Sequence, residues 1–170
     1  MTRIEVMTPG LATTVQGAPR TGHRHVGVAA CGALDPWSQA LANLLVGNKP
    51  DSAVLELTLT GPTLRFADAA CIAVCGGGFA IDVDGVPVAD ARPVHVPALS
   101  VVHIGRAGTG ARGYLAVRGG FAVDAVLGSL STDLRGGFGG HHGRLLRAGD
   151  RLAVLGGLRV AVTSLRVASW

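Results

Sequence analysis

The chain has 170 residues, 48% of them apolar and 15% charged, which is material for one well-buried domain and excludes general disorder. Mean hydropathy is +0.42, yet no run of about 18 apolar residues is free of charge, glycine or proline, which excludes a transmembrane helix. The net charge of +4 comes from 14 arginines and the single Lys49, spread without any basic run, so it points away from a nucleic-acid surface, which needs clustering on one face.

The opening MTRIEVMTPG has no charged segment followed by an apolar core, so a cytoplasmic location is expected. Ile4 and Val6 alternate with Glu5 as in a half-buried strand. From Thr8 to Pro36 the chain reads as a long loop dense in polar groups, among them Gln16, Arg20, His23, Arg24, His25 and Asp35. Cys31 lies in this loop; no nearby base is implied by the pattern, and it reads as a packing residue.

Asp35-Pro36 followed by WSQALANLLVG predicts a helix, with Asp35 as N-cap, Pro36 at the first position and Gly47 at the end. Trp37, Leu41, Leu44 and Leu45 fall on one face by three-and-four spacing and are expected to cover part of a sheet. In LELTL, Glu56 faces away from the leucines, as an acid at a barrel mouth or a surface carboxylate.

Further strands are expected at 63–66, 70–75, 92–96, 100–104, 112–117, 151–155 and 158–163. Ile81 and Val83 alternate with Asp82 and Asp84 and lead through Gly85 into VPV, a hairpin in which the two aspartates are read as one exposed polar edge. Cys71 and Cys75, four apart on a strand and so about 13 Å distant, are beyond disulfide reach. A short helical turn is expected from Val123 to Leu127. Proline and glycine punctuate nearly every gap, so the architecture is all-β: a closed or nearly closed barrel with one short covering helix.

Between Ser131 and Asp150, five glycines from Gly136 to Gly143 permit positive φ and a nest of N–H groups for a carboxylate or phosphate. The loop matches neither a P-loop nor the Rossmann spacing. Adjacent His141 and His142 lack metal-ligand spacing, and no metal site is expected.

Read in order, IEVMTPGLATTVQ, HRHVGVAACGALDPWSQALANLLVGN, AVLELTLTGPTLRF and RGYLAVRGGFAVDAVLGSLSTDLRGGFGGHHGRLLRAGD resemble the biotin-dependent carboxyltransferase family. That family includes the C subunit of 5-oxoprolinase, allophanate hydrolase subunit 2 and KipA-like proteins. The resemblance implies a cyclophilin-like β-barrel and a single domain over residues 1–170 that lacks the family's second, β-rich half. It also implies action on a small planar amide (5-oxoproline, urea or allophanate) together with a sister subunit of the allophanate hydrolase subunit 1, or KipI-like, type. No directly bound cofactor is expected; ATP or carboxybiotin is implied for the complex. The alternative is a non-catalytic, KipA-like module that docks on its partner.

By position, the resemblance assigns Asp133, Glu56 and Arg144 to catalysis. It assigns Gln16, Arg24, Asp35, Ser131 and Thr132 to substrate binding, with Gly139, Gly140 and Gly143 as an anion-binding backbone. Where the family has Asp-x-Gly-Arg after TVQ, this chain has GAPR: Gly17 replaces an acid and Pro19 a glycine, while Arg20 remains.

Overall fold

The structure is a computed structural model, and residues 2–156 of it are described here; the strand expected at 158–163 lies outside them. The strands are β1 (Thr2–Thr8), β2 (Ala12–Gln16), β3 (Val54–Thr58), β4 (Thr63–Phe66), β5 (Ala70–Cys75), β6 (Phe79–Val83), β7 (Val86–Val88), β8 (Val94–Val96), β9 (Val101–Ala107), β10 (Arg112–Val117) and β11 (Arg151–Val154). One α-helix, α1, spans Pro36–Leu45, and a single 3-10 turn spans Arg24–Val26 among the described residues. The all-β expectation with one short helix holds, but the described strands do not close into one hydrogen-bonded barrel. They form two antiparallel sheets, ordered β11-β1-β4-β9-β6-β7 and β2-β3-β10-β5-β8.

Strand alternation decides what each face carries. Ile4, Val6, Leu64, Phe66, Val102 and Ile104 of the six-stranded sheet meet Val15, Leu55, Leu57, Ile72, Val74 and Leu115 of the five-stranded sheet in one core. The opposite parity of the five-stranded sheet supplies Val54, Ala73, Cys75, Tyr114 and Ala116 to a second core, closed by Ala42, Leu45 and Val46 at and just beyond α1. Burial pushes the Cys75 thiol up to about 12, which makes it inert packing.

Four expectations need correction. The long loop contains β2, paired in register with β3 from Ala12 opposite Thr58 to Gln16 opposite Val54; its Thr13 and Thr14 hide an alternation that apolar residues would have displayed. Helix α1 does not bury Trp37 and Leu44, which are 85% and 50% exposed. It turns Gln39 and Asn43 inward instead, because loop carbonyls need donors: Asn43 Nδ2 bonds Pro50 O at 3.1 Å and Ser52 O at 2.9 Å. There is no helical turn from Val123 to Leu127. Val126 and Ser129 exchange backbone bonds of 2.9 and 3.2 Å around Leu127 and Gly128, both left-handed. Lastly, Asp82 and Asp84 do not act as one polar edge. Asp84 and Gly85 are the two left-handed residues (φ 51 and 80) of the tight β6–β7 turn, where Asp82 accepts from Gly85 N and Asp84 accepts from Val101 N.

Candidate functional site

Helix α1 covers only part of the outer face of the five-stranded sheet, and the uncovered part is polar. Its floor comes from three adjacent strands in register: Thr14 and Gln16 on β2, Glu56 and Thr58 on β3, Arg112 on β10. The stretch from Ala29 to Gly32 makes one wall and Thr132 to Arg135, with Leu145, the other, enclosing a cleft of about 410 Å³.

Glu56 is half-buried, and its Oε2 accepts from Leu34 N at 2.8 Å and from the Tyr114 hydroxyl at 2.9 Å. No other described residue donates to its Oε1. Arg112 donates through one guanidinium N–H to Thr58 Oγ1 and keeps the rest of its fork for the cleft. Gln16 is 7% exposed; its Nε2 donates to Thr14 Oγ1 at 3.0 Å, and its Oε1 has no partner among the described residues. Turning the amide over would leave Nε2 unpaired instead, so one end of this buried group awaits a partner in either orientation.

Asp133 is 4% exposed, and its Oδ1 accepts from Arg135 N at 3.1 Å and Gly136 N at 2.9 Å, which folds the wall into a tight turn. Cys31 adopts a left-handed backbone (φ 52) and faces Asp133 and Arg20 from the opposite wall. Burial, with the Asp133 charge behind it, raises the thiol pKa and keeps the sulfur protonated.

Arg20, only 2% exposed, ties these walls together. Its guanidinium donates to Val126 O (3.0 Å), Ala29 O (3.3 Å) and Ser131 O (2.8 Å), and lies 4.8 Å from the Phe138 ring centroid. Ser131 and Thr132 are stitched to the end of β2: Ser131 Oγ accepts from Gly17 N and donates to Ala18 O, and Thr132 Oγ1 donates to Val15 O.

The structure therefore gathers Gln16, Glu56, Thr132 and Asp133 into one cleft, with Ser131 directly beneath its wall. It does not bring the other assigned residues there. Arg24 stands exposed on the 3-10 turn. Asp35 has both oxygens occupied as the α1 cap, by the Ser38 hydroxyl, Ser38 N and Trp37 N, which lowers its pKa. Arg144 spends its fork on Asp150 in two parallel bonds of 2.8 Å and thereby holds the Asp150 carboxyl far below the usual carboxylate range.

Gly139, Gly140 and Gly143 line a separate cleft of about 580 Å³ with Phe121, His141 and Arg151. A side chain on Gly140 would overlap Thr132 Oγ1, and one on Gly143 would overlap the backbone of Gly137, so close packing of backbone already requires both glycines. Sequence reasoning did not single out Arg112 and Tyr114. Their parity in RGYLAV matches that of Glu56 and Thr58, but the signal needs the β3–β10 register, which the sequence alone lacks.

Comparison with known proteins agrees with this architecture. Residues 26–164 match the family model described as carboxyltransferase domain, subdomain A and B. Urea amidolyase of Saccharomyces cerevisiae is 41% identical over 152 residues, 89% of this chain and 8% of that protein. The C subunit of 5-oxoprolinase from Escherichia coli is 40% identical over 151 residues, 89% of this chain and 49% of that protein. This chain thus spans about half the length of that bacterial relative. The crystal structure of Kluyveromyces lactis urea carboxylase superposes with a TM-score of 0.87 at 40% identity, covering 89% of this chain and 14% of the larger one. The match over most of the chain, in sequence and in fold, places this protein in the carboxyltransferase domain family.

Proposed function

We propose that this chain is the amide-binding part of a protein resembling the 5-oxoprolinase C subunit or a biotin-dependent carboxyltransferase. In this reading it works in the cytoplasm with a sister subunit of the KipI-like type on a small amide: 5-oxoproline, urea or allophanate. The observation that carries the reading is a cleft floor that sets the buried Gln16 amide, one end of which is unpaired, beside Glu56 and Arg112. A carboxylate and an amide that can present either its oxygen or its N–H, beside a planar cationic donor, complement an edge that carries N–H next to C=O, the edge of a lactam or a urea. The ureido ring of biotin presents the same edge.

The fit to ATP is poor in the described residues. Gly143 N is already bonded to Gly139 O, and a side chain at Gly140 or Gly143 would overlap Thr132 or Gly137, so close packing accounts for both glycines without a phosphate. In this reading ATP or carboxybiotin enters at the level of the complex.

The test is reconstitution with the sister subunit and assay of 5-oxoproline and urea turnover. Removing the Gln16 amide (Gln16→Ala) should lower kcat/KM by roughly tenfold to a hundredfold, as expected for one buried hydrogen bond of about 1–3 kcal/mol. A reconstituted complex that co-purifies but turns over neither substrate would favour the non-catalytic docking module.

A further inference from the structure

Tyr114 lies where the two uses of the outer sheet face meet. Its ring is fully buried in the second core beneath α1, while its hydroxyl reaches the edge of the cleft. That hydroxyl donates to Glu56 Oε2 at 2.9 Å and accepts from Asp35 N at 2.7 Å. The same Glu56 oxygen accepts from Leu34 N at 2.8 Å. One phenol therefore fixes a carboxylate oxygen and, through two consecutive backbone amides, the stretch that leads into α1.

We propose that Tyr114 is the positioning residue for Glu56: it locks Oε2 against the Leu34–Asp35 backbone, so that Oε1 alone is presented to a ligand. The proposal rests on the amide-binding reading above for what Glu56 then does. A carboxylate on a flexible side chain carries rotamer entropy that a ligand would otherwise have to quench, and two fixed donors remove that cost beforehand. The site suits this role, because the ring is held by core packing and the hydroxyl has no rotational slack once it bridges Asp35 N and Glu56. Burial also raises the phenol's pKa, which keeps it a proton donor across the physiological range.

The test uses this chain with Tyr114→Phe, which removes one oxygen and keeps the ring in the core. Amide hydrogen exchange is followed by NMR at Leu34 and Asp35, with Leu55 and Leu57 of β3 as internal controls. Urea and 5-oxoproline are titrated as probe ligands. The expected result is roughly tenfold or greater faster exchange at Leu34 and Asp35, unchanged exchange in β3, and roughly tenfold weaker binding of the probe. In a Glu56→Ala background, which removes the acceptor, Tyr114→Phe should weaken binding no further, since it acts through the carboxylate; losses that add would indicate a separate structural role and overturn the proposal. Unchanged Leu34 exchange in Tyr114→Phe would overturn it too, even with ligand binding intact. If neither probe binds the parent chain but Leu34 protection is lost in the variant, Tyr114 still positions Glu56 and the amide-binding reading is what fails.

Discussion

Arg20 is a buried charge and Glu56 a half-buried one, and their surroundings separate a charge spent inside the protein from one turned toward the cleft. The three hydrogen bonds of Arg20 end on backbone carbonyls of different loop segments, and the residue is 2% exposed, so its charge is spent inside the protein. Glu56 has one oxygen held and the other facing an open cleft. Replacing Arg20 by alanine leaves the buried Ser131 carbonyl unpaired, which costs about 1–3 kcal/mol, while the exposed Ala29 carbonyl turns to water and Val126 O keeps its bond from Ser129 N. A drop of about 1–3 kcal/mol, read as a melting temperature lowered by roughly 3–10 °C, is expected by thermal unfolding. A variant that melts like the parent would show that the loops around the cleft do not depend on this side chain.

At the scale of elements, strands that are half-buried announce themselves, because one parity must be apolar. LEL in β3, IDV in β6 and VVHI in β9 are legible for that reason, and so is Glu56 as the odd polar residue among leucines. Helix α1 is legible in its ends but not in its orientation. Its cap and proline are local chemistry, whereas its buried face is chosen by the Pro50 and Ser52 carbonyls of the next loop. The glycine loop misleads in a similar way, since positive φ serves packing as readily as ligand contact. Gly140→Ala and Gly128→Ala separate the two demands. Both residues are left-handed, but nothing lies within 4 Å of a side chain at Gly128, whereas one at Gly140 meets Thr132. Gly128→Ala is expected to lower stability by about 1 kcal/mol from backbone strain alone, and Gly140→Ala by several, as measured by urea unfolding. Equal losses would mean that the loop can move away from Thr132.

For the whole molecule, stability should fall on both sides of neutrality: above about pH 9 the unfolded chain gives up protons that the buried Cys75 thiol and Tyr114 phenol keep, and on the acid side the carboxylates decide. Asp150, held by Arg144 and by Arg147 N, and Asp35, held by Ser38, both have lowered pKa values in the folded chain. The unfolded chain therefore takes up protons first as pH falls through about 4, and the stability these carboxylates contribute is lost from there downward. His141, whose pKa burial lowers, adds an earlier loss that begins as pH falls below about 6.5, because the unfolded chain again binds the proton more readily. Asp150→Asn should flatten the acid limb of a stability profile without altering its neutral plateau's slope; an unchanged acid limb would mean that the Arg144 pair does not persist in solution.

The floor of the cleft consists of side chains on three hydrogen-bonded strands, while its walls are loops pinned by Arg20, Ser131 and Asp133. Division of labour follows from that difference in rigidity. The strands hold the polar floor in a fixed grid, and exchanges at the exposed wall positions Ala29, Leu134 and Arg135 can reshape the space above it without disturbing the buried Thr132 and Asp133. One scaffold could in this way serve ligands that share an edge and differ in everything else.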